Sequence, residues 1–138
     1  MKKLLLSVLV FTTLAMIASC SKDTDNAAKW VGVYTSTANL TDSINQVTIV
    51  EVNSSTLQLL LQGKYGSVVY TIATIQNAKL TNATTINVNE TGNIAGLNST
   101  YTFTGSGVLA GNALTISGHA TNTTNSNDIR GYYFTGSK

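Results

Sequence analysis

The side chains with the greatest catalytic potential are few in this sequence. His119 is the only histidine, Cys20 is the only cysteine, and Asp128 is the one carboxylic acid close to His119 along the chain. A protein metal site needs several imidazole, thiolate or carboxylate ligands, and a histidine base needs a partner that orients it. We therefore expect no metal site and no cofactor, and we expect His119 to be a polar residue at a strand end.

The other acids are widely separated, and serines are abundant. Two carboxylates that hydrolyse a glycoside must face each other across about 5–10 Å, and nothing in the spacing of Asp42, Glu51 and Glu90 indicates such a pair. No nucleophile-elbow sequence and no glycine-rich phosphate loop is present. The sequence thus predicts a protein that is not an enzyme.

Tyrosines are the residues best suited to binding, because a phenol offers both a ring face and a hydroxyl. We regard four of them as candidates to line a ligand cavity, with core packing as the alternative for each: Tyr34, Tyr70, Tyr101 and Tyr132. Strand alternation places Tyr132 and Phe134 on one face and Tyr133 on the other.

The net charge of the chain does not favour binding to nucleic acid. The formal charge of the chain is +2, from eight basic and six acidic residues. Lys2 and Lys3 belong to the leader described next, so the remaining chain is close to neutral. We therefore expect no nucleic-acid partner.

The first 19 residues read as a secretion leader. Lys2 and Lys3 precede an apolar run from Leu4 to Ala18, which is too short for a comfortable membrane span of about 20 residues. It ends in Ile17-Ala18-Ser19-Cys20. This ending resembles the lipobox of bacterial lipoproteins, which implies cleavage before Cys20 and attachment of lipid to it.

The segment after the leader is expected to be a tether, with the domain itself starting at Trp30. Residues 20–29 have little apolar content, which is typical of a flexible linker. Ser21, and not Asp, follows the cysteine, which differs from the inner-membrane retention signal of enterobacterial lipoproteins. Ser21-Lys22-Asp23-Thr24-Asp25 is also loosely similar to surface-export signals of Bacteroidetes lipoproteins. The resemblance implies a cell-envelope protein on the outer membrane, on either its periplasmic or its external side.

The secondary structure that would position a binding site is predicted to consist entirely of β-strands. Eight short runs rich in Val, Ile, Thr and Tyr alternate with Asn, Gly and Ser clusters. The runs are Val31–Thr35, Val47–Val52, Leu57–Gln62, Val68–Ile72, Thr85–Val88, Tyr101–Leu109, Leu114–Ile116 and Tyr132–Phe134. Short connections favour sequential antiparallel pairing, and eight strands can close into an up-and-down barrel. A β-sandwich is the alternative.

Glycines indicate the local geometry. Gly111-Asn112 lies between two apolar runs, which predicts a two-residue hairpin with positive φ at Gly111. Gly105 and Gly107 suggest a bulge or sharp bend. Ile75–Thr81 fits either a short helix or an irregular crossing.

Three parts of the domain resemble calycins, the group of lipocalins and fatty-acid-binding proteins. Trp30-Val31-Gly32-Val33-Tyr34 is similar to their opening strand, and small Bacteroidetes calycin-like lipoproteins share the late Gly-x-Gly hairpin and the aromatic last strand, here Tyr132-Tyr133-Phe134. The resemblance implies that Trp30 packs under Arg130 to close the barrel floor. It also implies a small hydrophobic ligand.

Asp42-Ser43-Ile44 resembles a short Bacteroidetes O-glycosylation pattern, which implies a glycan on Ser43.

The leading hypothesis is a membrane-anchored barrel, lipidated at Cys20, that binds a small apolar or amphipathic ligand. The first alternative is a surface module that contacts a protein or glycan without catalysis. The second is a hydrolase or hydrolase inhibitor.

Overall fold

The protein folds as an eight-stranded antiparallel barrel. The computed structural model describes residues 25–36 and 44–138. The strands are β1 (Gly32–Ser36), β2 (Gln46–Asn53), β3 (Thr56–Tyr65), β4 (Val68–Asn82), β5 (Thr85–Asn93), β6 (Thr100–Ala110), β7 (Ala113–Asn122) and β8 (Ile129–Ser137). Each strand pairs with its neighbours in sequence, and β8 pairs with β1, so the up-and-down barrel is closed. The all-β prediction and the barrel alternative are confirmed.

Alternation of side chains builds the core. On β7, for example, Leu114, Ile116 and Ala120 point inward and are buried, whereas the alternate residues Thr115, Ser117 and His119 face outward. The predicted alternation on β8 also holds, since Phe134 is buried, Tyr132 is half-buried and Tyr133 is 61% exposed. The outer surface of β5–β8 carries mainly Thr, Asn and Ser, which explains how a barrel with few charges presents a polar face to water.

The hairpin at Gly111-Asn112 forms as predicted. Ala110 pairs with Ala113 across the two-residue turn, and Gly111 has φ 62°. No bulge forms at Gly105 or Gly107, because β6 pairs with both neighbours without any register shift. These glycines instead leave room for side chains, as described below.

The segment that fits a helix or an irregular crossing is in fact the second half of β4. This strand runs from Val68 to Asn82, and its register with β3 shifts twice. One extra residue on β4 lies near Ile72 and another lies near Gln76 and Asn77. Such bulges break the period-two pattern, which explains why the sequence does not read as a strand there.

The two ends of the barrel differ in their connections. One end, here called the floor, carries the β2–β3, β4–β5 and β6–β7 turns. The opposite end, here called the mouth, carries the β3–β4, β5–β6 and β7–β8 connections. Within the described residues, no helix is long and apolar enough to cross a membrane.

Candidate functional site

The floor is closed by the short segment before β1. Ala27 and Trp30 are fully buried, and the indole Nε1 of Trp30 donates a hydrogen bond to the carbonyl oxygen of Ala83 at 3.2 Å. Tyr34 is also fully buried, and its hydroxyl donates to the carbonyl oxygen of Trp30 at 2.8 Å. Burial raises the pKa of Tyr34. The floor is therefore filled and hydrogen-bonded.

A lysine at the end of β8 ties the two ends of the domain together. The Nζ of Lys138 donates to the carbonyl oxygens of Lys29 at 2.8 Å and Val31 at 3.0 Å. The same ammonium lies 5.2 Å from the centroid of the Tyr34 ring, a cation–π contact.

The predicted pairing of Trp30 with Arg130 is corrected by the structure. Trp30 precedes β1 at the floor, whereas Arg130 stands at the start of β8, which begins at the mouth. Since β8 runs the whole height of the barrel, the cation that reaches the floor is Lys138 at its far end. Arg130 lies over the ring of Tyr101 instead, 5.8 Å from the centroid.

The mouth contains an apolar cavity of about 480 Å³. Six of the residues that line it are Ile44, Leu61, Ile72, Ile94, Phe103 and Tyr132. Arg130 and Tyr133 also border it, and Arg130 is the one charged residue among its described lining. The cavity is thus an apolar hollow with a single cation at its rim.

Tyr132 divides the hollow part of the barrel from the filled part. Its ring lies across Gly105 and Gly118, where an added Cβ would come within 2.5 Å of the Tyr132 hydroxyl. The hydroxyl donates to the carbonyl oxygen of Thr104 at 3.1 Å, and burial raises the pKa of Tyr132 to about 12. One row closer to the floor, the buried side chains of Ile116 and Phe134 fill the interior.

A polar cluster supports the mouth beside the cavity. The hydroxyl of Tyr101 donates to Asp128 Oδ2 at 2.7 Å, and the amide of Asn122 donates to the same oxygen at 3.2 Å. Arg130 Nε lies 3.2 Å from Asp128 Oδ1. These hydrogen bonds, first from Tyr101 and then from Asn122, together with the charge of Arg130, lower the pKa of Asp128. The carboxylate of Asp128 therefore pairs with Arg130 at the rim.

The barrel wall is split between β4 and β5. These strands pair only near the floor, from Lys79–Asn87 to Asn82–Thr85, and meet again at a single bridge between Ala73 and Ile94. In the gap, the carboxylate of Glu90 accepts hydrogen bonds from the backbone amides of Gln76 and Asn77, the latter at 2.8 Å. Glu90 thus takes the place of strand pairing at the second bulge of β4.

Outside this gap lies a second hollow of about 700 Å³, an open groove with both polar and apolar lining, here called the β4–β5 cleft. Six of the residues that line it are Thr71, Thr74, Gln76, Thr91, Asn93 and Ser99. Ile72, Ala73 and Ile94 line both the cleft and the mouth cavity. The two cavities therefore meet along the Ala73–Ile94 bridge.

The structure separates the four tyrosines proposed as ligand-lining. Tyr132 lines the mouth cavity. Tyr34 is packed in the floor, and Tyr101 is buried behind Asp128. Tyr70 lies on the protruding β3–β4 hairpin, with its ring against Gly63 and about half of its surface exposed.

The remaining candidates lie elsewhere. His119 is on the outer face of β7, where its Nε2 is 2.9 Å from Thr104 Oγ1. Cys20 and Ser43 lie outside the described residues, as do the leader and residues 20–24, half of the predicted tether. Among the described residues, no group of three or more histidine, cysteine or acidic side chains is placed to hold a metal ion.

Two important residues were not identified from the sequence. Glu90 has the same parity as the buried residues Ile86 and Val88, so an inward acid could have been noticed from alternation alone. Ile72 carried no such signal, because it lines both cavities only through the bulge in β4.

Comparison with known proteins gives no relative. No protein-family model, no curated protein sequence and no solved structure matches this chain.

Proposed function

We propose that this protein is a membrane-anchored lipoprotein whose calycin-like barrel binds a small apolar or amphipathic ligand in its mouth cavity. The observation that carries the proposal is the apolar cavity of about 480 Å³ above Tyr132. Small-molecule sites in proteins are typically hollows of about 300–1,000 Å³ with an apolar wall and few polar groups. The mouth cavity has both properties.

The walls of the cavity are supported from behind. Leu61 on β3 and Phe103 on β6 are buried, and Tyr132 is held by its hydrogen bond to Thr104. Since burial of apolar surface is favourable by about 25 cal/mol per Å², an apolar ligand gains affinity here without a large rearrangement. Arg130 at the rim suits a ligand with one polar end.

The anchor is the second part of the proposal. Ile17-Ala18-Ser19-Cys20 supports lipidation of Cys20, and the leader supports a place in the cell envelope, on the outer membrane. The C20S variant tests it: we expect the wild-type protein in the membrane fraction and the variant in the soluble envelope fraction. Equal partitioning of both would refute the anchor and leave ligand binding standing.

Ligand binding is tested by filling the cavity. Ala120 is buried on β7 and lines the cavity, whereas Ala113 on the same strand is exposed beside the β6–β7 turn. We expect N-phenyl-1-naphthylamine, an uncharged apolar probe, to bind the wild-type protein, to bind Ala120→Leu at least about fivefold more weakly, and to bind the control Ala113→Leu unchanged. Fluorescence titration measures all three, and equal binding by the two variants would reject the cavity as the site.

One observation favours a second function, contact with another macromolecule. The tip of the β3–β4 hairpin exposes Tyr65, Val68, Val69 and Tyr70, and Tyr65 is 84% exposed. An exposed apolar patch on a monomer often marks an interaction surface. Crosslinking on intact cells, comparing the wild type with a Tyr65→Ser/Val68→Ser variant, tests it, since loss of a specific adduct is the expected result.

A further inference from the structure

The mouth cavity and the β4–β5 cleft are adjacent compartments with different chemistry. Three residues line both compartments: Ile72, Ala73 and Ile94. They form a thin wall, in which β4 and β5 are joined by a single β-bridge between Ala73 and Ile94. The amide of Ala95 donates to the carbonyl oxygen of Ile72 at 2.8 Å, which is the other backbone link across this wall. A flexible chain can therefore lie over the wall with one end in each compartment.

The first extra residue on β4 produces this arrangement. Leu61 pairs with Ala73 and Gln62 pairs with Thr71, so Ile72 is the residue without a direct partner on β3. A bulge redirects the side chains around it. Here it brings Ile72 and Ala73 to the same place at the mouth, where a regular strand would have turned one of them away.

The polar groups that line the cleft, about half of its surface, are uncharged. Hydroxyls and amides project from Thr74, Thr91 and Asn93, and none of the described residues that line the cleft carries a charge. The carboxylate of Glu90 does not line it and is engaged by the amides of Gln76 and Asn77. The cleft therefore offers many hydrogen bonds and no ion pair.

These properties of the cleft determine which polar head group of an amphipathic ligand could bind there. A carboxylate or phosphate head would need a cationic or strongly donating site to replace its water, and a quaternary amine would need an aromatic cage or an acid. A head with several neutral hydroxyls can donate to and accept from threonine hydroxyls and asparagine amides at once. The size of the cleft, about 700 Å³, suits a head as large as a sugar.

We propose that the two compartments bind the two ends of one molecule, an alkyl glycoside or glycolipid whose chain enters the mouth cavity and whose uncharged sugar occupies the β4–β5 cleft. This proposal rests on ligand binding in the mouth cavity and specifies the ligand class. Ile72 and Ile94 contact the link between chain and head. Tyr132 stops the chain at the inner end of the cavity.

The test compares three probes with the same alkyl chain and different heads. Isothermal titration calorimetry with n-octyl β-D-glucoside, 1-octanol and octanoate, each below its micellar or solubility limit, isolates the head group. We expect octyl glucoside to bind about tenfold more tightly than either other probe, which corresponds to one or two net hydrogen bonds.

Two threonines in the cleft provide the variant. Thr74→Val/Thr91→Val removes two hydroxyls while nearly preserving shape, and Thr115→Val removes an exposed hydroxyl from the outer face of β7, away from both cavities. We expect the double variant to lose most of the preference for octyl glucoside and to bind octanol as before. We expect Thr115→Val to match the wild type for all three probes.

The outcomes separate this inference from the proposed function. Equal binding of octyl glucoside and octanol would overturn the sugar site and leave ligand binding intact. Tightest binding of octanoate would also overturn it, since the head would then be anionic and would lie at Arg130. Absence of binding by every probe would overturn both proposals.

Discussion

The floor and the mouth are built from the same eight strands, yet they have opposite properties. At the floor, Trp30 and Tyr34 are fully buried, and their polar atoms are hydrogen-bonded to the backbone. At the mouth, the phenol end of Tyr132 lies over two glycines, Gly105 and Gly118, and the side chain leaves a hollow of about 480 Å³ above it. The difference lies in where the aromatic rings are placed and in the separation of β4 from β5 toward the mouth.

This contrast indicates a division of labour along the barrel axis. Close-packed aromatic side chains contribute most to stability where they are fully enclosed, so the floor should carry a large share of the folding free energy. The mouth leaves apolar surface uncovered, which is costly unless a ligand covers it. Substitutions at the two ends should therefore have effects of different size and, for the acids, of different sign.

The largest expected effect is at the floor. Trp30→Ala removes a fully buried indole and leaves a cavity, so we expect a loss of about 3–5 kcal/mol in the free energy of unfolding. Tyr133→Ala, at an exposed position of the mouth, should change it by less than about 0.5 kcal/mol. Urea unfolding measures both, and similar losses would remove the distinction between the two ends.

The next effect is at the boundary between filled and hollow regions. A Cβ added at Gly118 would lie 2.2 Å from the Thr104 carbonyl oxygen and 2.5 Å from the Tyr132 ring, whereas one added at Gly131 would meet nothing within 4 Å. We expect Gly118→Ala to destabilise by about 1–3 kcal/mol or more, and Gly131→Ala to be neutral or slightly stabilising. Thermal unfolding of the two variants compares them directly.

A smaller effect concerns acid at the mouth. The folded-state pKa of Asp128 is lowered, chiefly by the Tyr101 hydrogen bond, so its contribution to stability is present above the unfolded-state pKa and is lost as pH falls through the folded-state pKa. We expect Asp128→Asn to be less stable than the wild type at neutral pH and to show a flatter stability profile in acid. Equal acid slopes in unfolding experiments would contradict the cluster.

The smallest effect is at the floor and has the opposite sign. Desolvation and the nearby Asp25 raise the pKa of Glu51. Its contribution is therefore complete below the unfolded-state pKa and is lost as pH rises through the folded-state pKa. We expect Glu51→Gln to be slightly more stable than the wild type at neutral pH and to lose this advantage in acid. A stability difference independent of pH would argue against the Asp25 contact.

Much of the fold could be predicted because alternation is a local property. The runs of Val, Ile and Thr locate all eight strands, and the inward or outward position of each β8 aromatic follows from counting by two. Short connections favour sequential pairing and closure removes exposed edges, but the same runs also fit a β-sandwich, and it is the pairing of β1 with β8 that shows the closed barrel. The second half of β4 was not predicted as a strand, because its two extra residues shift the alternation of side chains between Ile72 and Ala78.

The site was harder to predict because it depends on distances across the barrel. Trp30 and Arg130 are near opposite ends of the chain, but β8 carries Arg130 to the mouth and Lys138 to the floor. Gly105 leaves room for the Tyr132 side chain, and this role depends on a contact between β6 and β8 that the sequence does not reveal. Contacts of this kind depend on register and on rotamers, which a single sequence does not specify.

Both ends of the described domain lie at the floor. Glu51, beside the β2–β3 turn, contacts Asp25, and Lys138 reaches the carbonyl of Lys29. A lipid on Cys20 would be separated from Asp25 by a chain that spans at most about 18 Å. The mouth would then open away from the anchoring bilayer, so its cargo would arrive from the aqueous side, released by another carrier or already free in solution. Such a protein would act as a receiver held at the membrane, not as an extractor of lipids from the leaflet beneath it.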